Sequence, residues 1–249
     1  MILFFHFHKA AGTTVIDAAR AMGLRLPALH QNGHPLEDSG SPVVLAGKSR
    51  ADVHAYFARI KSQGVQFLAL EWDIPQFEYL VDIEDLRMCT VLRDPFKRAI
   101  SNFKMDSSND WLYGRVFDFE DYFDSSAQHR SHNYYVRSIC GLYGRDAEIG
   151  SRHIGYCAKF MKAMDVACCL ETSDLRQEFR KVGIEIAPGQ HSNRHAENPP
   201  PAHLRDVFGH DSLEKYKDRF VAQNLADYYL YHSLGFKRDE SVRRLPKNV

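Results

Sequence analysis

The chain has 249 residues, of which 44% are hydrophobic and 26% charged, with 32 Lys plus Arg balanced by 32 Asp plus Glu. This is the composition of a globular protein with ample core material, and the neutral balance excludes bulk attraction to nucleic acid or an anionic membrane. Five cysteines form no Cys-x-x-Cys pair, and the adjacent Cys168-Cys169 suits buried thiols in a reducing compartment better than a disulfide framework.

The apolar run Ile2 to Phe7 reads as a buried strand, followed by a helix over 14–22 with Val15, Ile16, Ala19 and Met22 on one face and Gly23 as its stop. Residues 24–42, rich in Gly, Pro, His and Ser, read as loop. Val43 to Ala46 is a short strand, 50–62 a helix ending at Gly64, Val65 to Leu70 a strand, and Arg87 to Leu92 the clearest central strand. The second half is mainly helical, over 118–126, 131–141, 152–163, 172–182 and 211–233, interrupted by the strand Asp165 to Leu170. Ala187 to Pro201 is a long irregular loop. Such alternation predicts one α/β domain over 1–249, a central, mainly parallel sheet covered by helices, with ligands at the strands' carboxyl ends.

No apolar run reaches the roughly 20 residues that a membrane span requires. The first strand begins at Ile2, which leaves no room for a secretory leader, so a cytoplasmic location is expected.

His8-Lys9-Ala10-Ala11-Gly12-Thr13-Thr14 joins the first strand to the first helix. A small-residue loop opening a helix presents backbone N–H groups to a phosphate, and Lys9, Thr13 and Thr14 add side-chain donors. The lysine precedes the glycine, the reverse of a Walker loop, which argues against an ordinary ATPase. The second anion-binding candidate is Leu92-Arg93-Asp94-Pro95-Phe96-Lys97-Arg98-Ala99-Ile100-Ser101, with Arg93 at a strand's carboxyl end and Pro95 opening a helix that carries Ser101. Lys97, Arg98 and Lys104 read as a solvated helix face. Two anion grips on one sheet imply a ligand with two separate phosphate groups.

Together these two motifs resemble the 5′-phosphosulfate loop and the 3′-phosphate motif of sulfotransferases that use 3′-phosphoadenosine 5′-phosphosulfate (PAPS). The similarity is greatest to the glycan branch that includes the heparan sulfate 2-O- and 6-O-sulfotransferases. Asn133 to Arg137, Leu170 to Ser173, His191 to Arg194 and Asn224 to Tyr231 are similar to further stretches of that branch, in the same order. The resemblance implies a P-loop-like three-layer fold and in-line sulfuryl transfer from PAPS to an acceptor hydroxyl of a glycan, glycolipid or small metabolite, leaving PAP and needing no metal. It implies that Lys9 contacts the phosphosulfate bridge, that Ala11, Gly12, Thr13 and Thr14 cradle the 5′-phosphate, and that Arg93 and Ser101 hold the 3′-phosphate. Ser192 and Arg194 would close over the nucleotide, and Asp73, Asn133 and Arg137 would meet the acceptor.

The chain departs from the pattern where the branch carries a histidine after the strand that precedes the Arg-x-Pro motif: here the stretch is Leu68-Ala69-Leu70-Glu71-Trp72-Asp73-Ile74-Pro75. Glu71, at a strand's carboxyl end, is the candidate general base, with Asp73 and then His54 in reserve. Trp111, Tyr113, Phe117, Phe119, Tyr122 and Phe123 read as core packing, with an acceptor platform as the alternative. Two other functions fit the residues: a P-loop kinase-like phosphotransferase, and a non-catalytic PAP- or nucleotide-binding protein.

Overall fold

The structure, a computed structural model, describes residues 1–71, 74–108, 119–124, 132–189 and 213–235. In chain order the first half contains β1 (Ile2–Phe5), α1 (Gly12–Ala21), β2 (His30–Gln31), β3 (His34–Pro35), α2 (Arg50–Ser62), β4 (Phe67–Leu70), β5 (Arg87–Leu92) and α3 (Pro95–Ser108). The second half contains α4 (Phe119–Asp124), α5 (Tyr134–Ile139), α6 (Ser151–Ala163), β6 (Val166–Cys169), α7 (Leu175–Arg180), α8 (Lys217–Gln223) and α9 (Leu225–Gly235).

The apolar strand runs become a parallel sheet in the order β4-β1-β5-β6. Successive side chains leave a strand on opposite faces, so an apolar run without alternation must be covered on both sides. Leu3, Phe5, Leu68, Leu70 and Met88 accordingly pack with Val53 and Phe57 of α2 and Phe160 of α6. Phe4, Phe67, Ala69, Cys89 and Val91 pack on the other face with Val15 and Ile16 of α1 and Phe179 of α7. The result is the expected three-layer α/β architecture. Phe119, Tyr122 and Phe123 join Phe96, Phe103 and Phe220 in a third core, whereas Trp111, Tyr113 and Phe117 lie outside the described residues.

Strand β1 pairs with β4 on one side and β5 on the other. The chain therefore reverses its direction of travel across the sheet at β1, and the loops after β1 and β5 meet at the topological switch point where open α/β sheets bind ligands.

Three sequence expectations are corrected. Val43 to Ala46 forms no strand: Val43 and Leu45 are buried, but the nearby pairing is the isolated Leu36–Pro42 bridge. The expected loop 24–42 contains the β2–β3 hairpin. Asn32 and Gly33 at its tip both have positive φ, 49° and 78°, as a tight hairpin turn requires. The expected helix 211–233 is divided at Asn224, whose side chain accepts from Asn133 N–H and donates to the Phe220 carbonyl. Among the described residues no helix is long and apolar enough to cross a membrane.

Candidate functional site

The loop after β1 turns sharply. Lys9 and Ala11 hold φ of 64° and 61°, a left-handed conformation costly for residues with a Cβ. Ala11 is the N-cap of α1 and has no side-chain oxygen, so no side chain caps the helix and its first turn can serve an anion. Gly12 is required by packing: a Cβ there would stand 1.8 Å from the His6 ring. The expected donors Thr13 and Thr14 occupy the first turn, Thr14 buried and Thr13 partly so.

Behind this loop is a chain of hydrogen bonds that the linear sequence conceals. His8 Nδ1 lies 2.6 Å from Glu71 Oε1, and His6 Nδ1 is 3.7 Å from Glu71 Oε2. The hairpin places His34, fully buried, where its Nδ1 accepts the Glu71 N–H at 3.2 Å, so Nε2 carries the proton donated to the Val43 carbonyl. Burial opposes ionisation of Glu71, but the His8 hydrogen bond and the fields of His6, His8 and His34 outweigh it and lower the carboxyl pKa. Burial pushes His6 down to about 4, against the attraction of Glu71. Glu71 Oε2 and His8 Nε2 are buried without a hydrogen-bond partner. Sequence reasoning singled out Glu71 but missed His8 as its partner; the signal was the adjacency of β1 and β4, whose pairing runs on to the His6 N–H bond with the Leu70 carbonyl.

The loop after β5 completes the cationic side. Arg93 donates through Nη1 to the Lys9 carbonyl at 3.4 Å and lies 3.7 Å, through Nε, from Glu171 Oε1. Glu171 Oε2 also accepts the Asp94 N–H and the Tyr231 hydroxyl, each at 3.0 Å. Arg93 is thus oriented by Glu171 while Asp94 caps α3, its Oδ1 accepting Lys97 N–H at 2.9 Å. Burial lowers the Lys9 pKa, and the nearby Arg93 cation lowers it further. Ser101 is partly exposed on α3.

Other expected site residues bond to backbone groups. Asn133 accepts through Oδ1 from Ala226 and Asp227 N–H and donates to the Gln223 carbonyl, tying α5 to the start of α9. Arg137 donates to the His132 and Arg145 carbonyls at 3.0 and 2.9 Å, so it pins the following loop. These bonds spend both side chains on backbone, and neither lines the cavity described below. Arg98 corrects the expected solvated face: it is 3% exposed, with its guanidinium 3.8 Å from the centre of the Tyr134 ring. His54, the distant reserve, has Nε2 at 2.7 Å from the Tyr79 carbonyl. Asp73, Ser192 and Arg194 lie outside the described residues.

Beside Glu71 is a cavity of about 300 Å³, walled in part by Ile74, Tyr134, Tyr143 and Arg145. The Tyr134 hydroxyl accepts the His8 N–H at 2.9 Å, so the cavity wall and the loop after β1 share a hydrogen bond. Among the described residues no group of three or more His, Cys, Asp or Glu could hold a metal ion.

No family model matches the chain, and no curated protein matches it. Among solved structures it is similar to retinol dehydratase in complex with androsterone and inactive cofactor PAP, at 12% identity and a TM-score of 0.29, over 91% of this chain and 80% of that one. At that score the chemistry of the site rests on its own geometry.

Proposed function

We propose that the protein is a sulfotransferase that moves a sulfuryl group from PAPS to an acceptor hydroxyl. The observation that carries this reading is the meeting of two anion-binding loops at the switch point, joined by the Arg93 bond to the Lys9 carbonyl. Their donor set suits a ligand with two separate phosphates: an uncapped helix N-terminus and Lys9 on one side, Arg93 and Ser101 on the other. Ala11, Gly12, Thr13 and Thr14 would hold the 5′-phosphate, with Ser192 and Arg194 closing over the nucleotide.

In this reading Glu71 takes the proton of the acceptor hydroxyl as its oxygen bonds to sulfur. Lys9 stabilises the negative charge left on the PAP phosphate as the bridging S–O bond breaks. The hydroxyl becomes strongly acidic only as the new bond forms, so a carboxylate of lowered pKa suffices as base. His8 holds one Glu71 oxygen and leaves the other without a partner. Most of the catalysis is positioning and charge stabilisation, as in phosphoryl transfer. The acceptor is a small molecule or a sugar; Asp73 would meet it directly, whereas Asn133 and Arg137 would act by holding α5 and its following loop.

Radiolabelled PAPS, offered with a panel of phenols, hydroxysteroids and sugars, tests the reading. Wild-type protein should label at least one acceptor, and Lys9→Ala should lose transfer by on the order of a hundredfold or more while keeping its circular dichroism. Wild-type protein that binds PAP yet labels nothing would leave only a nucleotide-binding role.

A further inference from the structure

The cavity beside Glu71 has an internal polarity that the proposed transfer does not itself require. Its lining includes Glu71, whose side chain is 3% exposed, and the exposed Arg145 on the loop after α5, so the buried residue marks its inner side and the exposed one its mouth. Among the described residues the Arg145 guanidinium makes no ion pair, whereas its carbonyl is held by Arg137. The same lining holds two tyrosine rings, Tyr134 and Tyr143, with centroids 5.8 Å apart and planes at 87°, together with the buried Ile74. An anion at the inner end would be repelled by Glu71, and a hydroxyl at the outer end would leave Arg145 unused. A flat apolar body suits the aromatic and aliphatic walls, and a volume of about 300 Å³ lies at the small end of ligand cavities.

We infer that this cavity is the acceptor site and takes a small aromatic hydroxy acid, with its hydroxyl toward Glu71 and its carboxylate on Arg145. The guanidinium fork matches a carboxylate in two-pronged contact. Arg137 is a positioning residue here, because it fixes the loop that carries Tyr143 and Arg145. The inference rests on the sulfotransferase reading for the fate of the hydroxyl, but not for binding.

Calorimetric titration of the protein, with and without PAP, separates the two claims. The probes are 4-hydroxyphenylacetate, its neutral analogue tyrosol, and D-glucuronate. The acid should bind about tenfold or more tighter than tyrosol, as expected for a charge-assisted contact, and D-glucuronate should bind more weakly than the acid. Arg145→Gln, at an exposed position, should erase the preference of acid over tyrosol without altering PAP binding. Tyr143→Ala should weaken both phenols. Equal binding of acid and tyrosol, an unchanged preference in Arg145→Gln, tighter binding of D-glucuronate, or no binding of any probe overturns the inference. Acid binding that depends on Arg145 in a protein that does not bind PAP would uphold the cavity and remove the donor reading.

Discussion

His8 Nδ1 and Glu71 Oε1 stand 2.6 Å apart, joining the loop after β1 to the end of β4. The bond does two things at once. It offsets the burial of the Glu71 carboxylate, whose side chain is 3% exposed, and it fixes the residue that precedes Lys9. A charge-assisted bond of this kind is stronger than a neutral one, and losing His8 would leave the buried Glu71 carboxylate without this bond.

Glu71→Gln keeps the shape of the side chain and removes its basicity. Turnover should fall by about 10²–10⁴, the usual contribution of a positioned general base. PAP affinity should be unchanged, since Glu71 lines the cavity proposed for the acceptor. Single-turnover transfer combined with equilibrium PAP binding checks the split; a parallel loss of both would assign Glu71 to nucleotide binding.

Gly12 and His6 form a second pair, in which one residue's lack of a Cβ admits the other's ring. Gly12→Ala should destabilise the protein by about 1–3 kcal/mol, the usual cost of overpacking, and should weaken PAP binding. Adding His6→Ala should return part of that stability, because the ring is what the methyl strikes. Denaturant titration of both single variants and the double variant measures the coupling, and strict additivity would contradict it.

Much of the fold was legible because β1, β4, β5 and β6 are unalternating apolar runs separated by helix-period segments. The Val43 to Ala46 strand failed because burial of Val43 and Leu45 came without a sheet edge to pair with. The Asn32-Gly33 turn was visible, but strands of two residues give no periodicity, so His34 stayed in a supposed loop. Lys9, Arg93 and Glu71 could be singled out as candidates because each follows closely on a recognisable strand. His8 and Arg98 were not, since one depends on strand order and the other on a ring from α5. In the same way, the resemblance singled out Asn133 and Arg137 but could not give their backbone partners, which depend on how α5 packs.

His6 gives the site a pH signature. Its folded pKa of about 4 lies below the ordinary 6.5, so between these values the unfolded chain binds a proton that the native state refuses. This contribution to stability is therefore present above pH 6.5 and lost as pH falls toward 4. Asp227, buried and raised to about 6 by desolvation, acts oppositely: ionising it costs stability as pH rises from 3.8 to about 6. The His6 part is isolated by comparison with His6→Asn. The advantage of wild type over that variant should shrink by about 3 kcal/mol between neutral pH and pH 4. A difference that does not change with pH, followed by urea unfolding, would place a charged His6 in the fold.

Arg93→Ala should weaken PAP binding by about ten- to a hundredfold through loss of a charge-assisted contact. Arg93→Lys should recover part of it, because the charge returns without the planar fork. Glu171 keeps its bonds to Asp94 N–H and Tyr231 in both variants, so melting temperatures should change little. Unaltered PAP binding in Arg93→Ala would remove Arg93 from the phosphate site.

The central claim is a grip on two separate phosphates, and calorimetric titration of the wild-type protein with PAP, AMP and ATP with magnesium tests it most directly. PAP should bind about tenfold or more tighter than AMP, which lacks the 3′-phosphate, and ATP with magnesium should bind no better than AMP. Equal affinity for PAP and AMP, or preference for ATP with magnesium, would contradict the account.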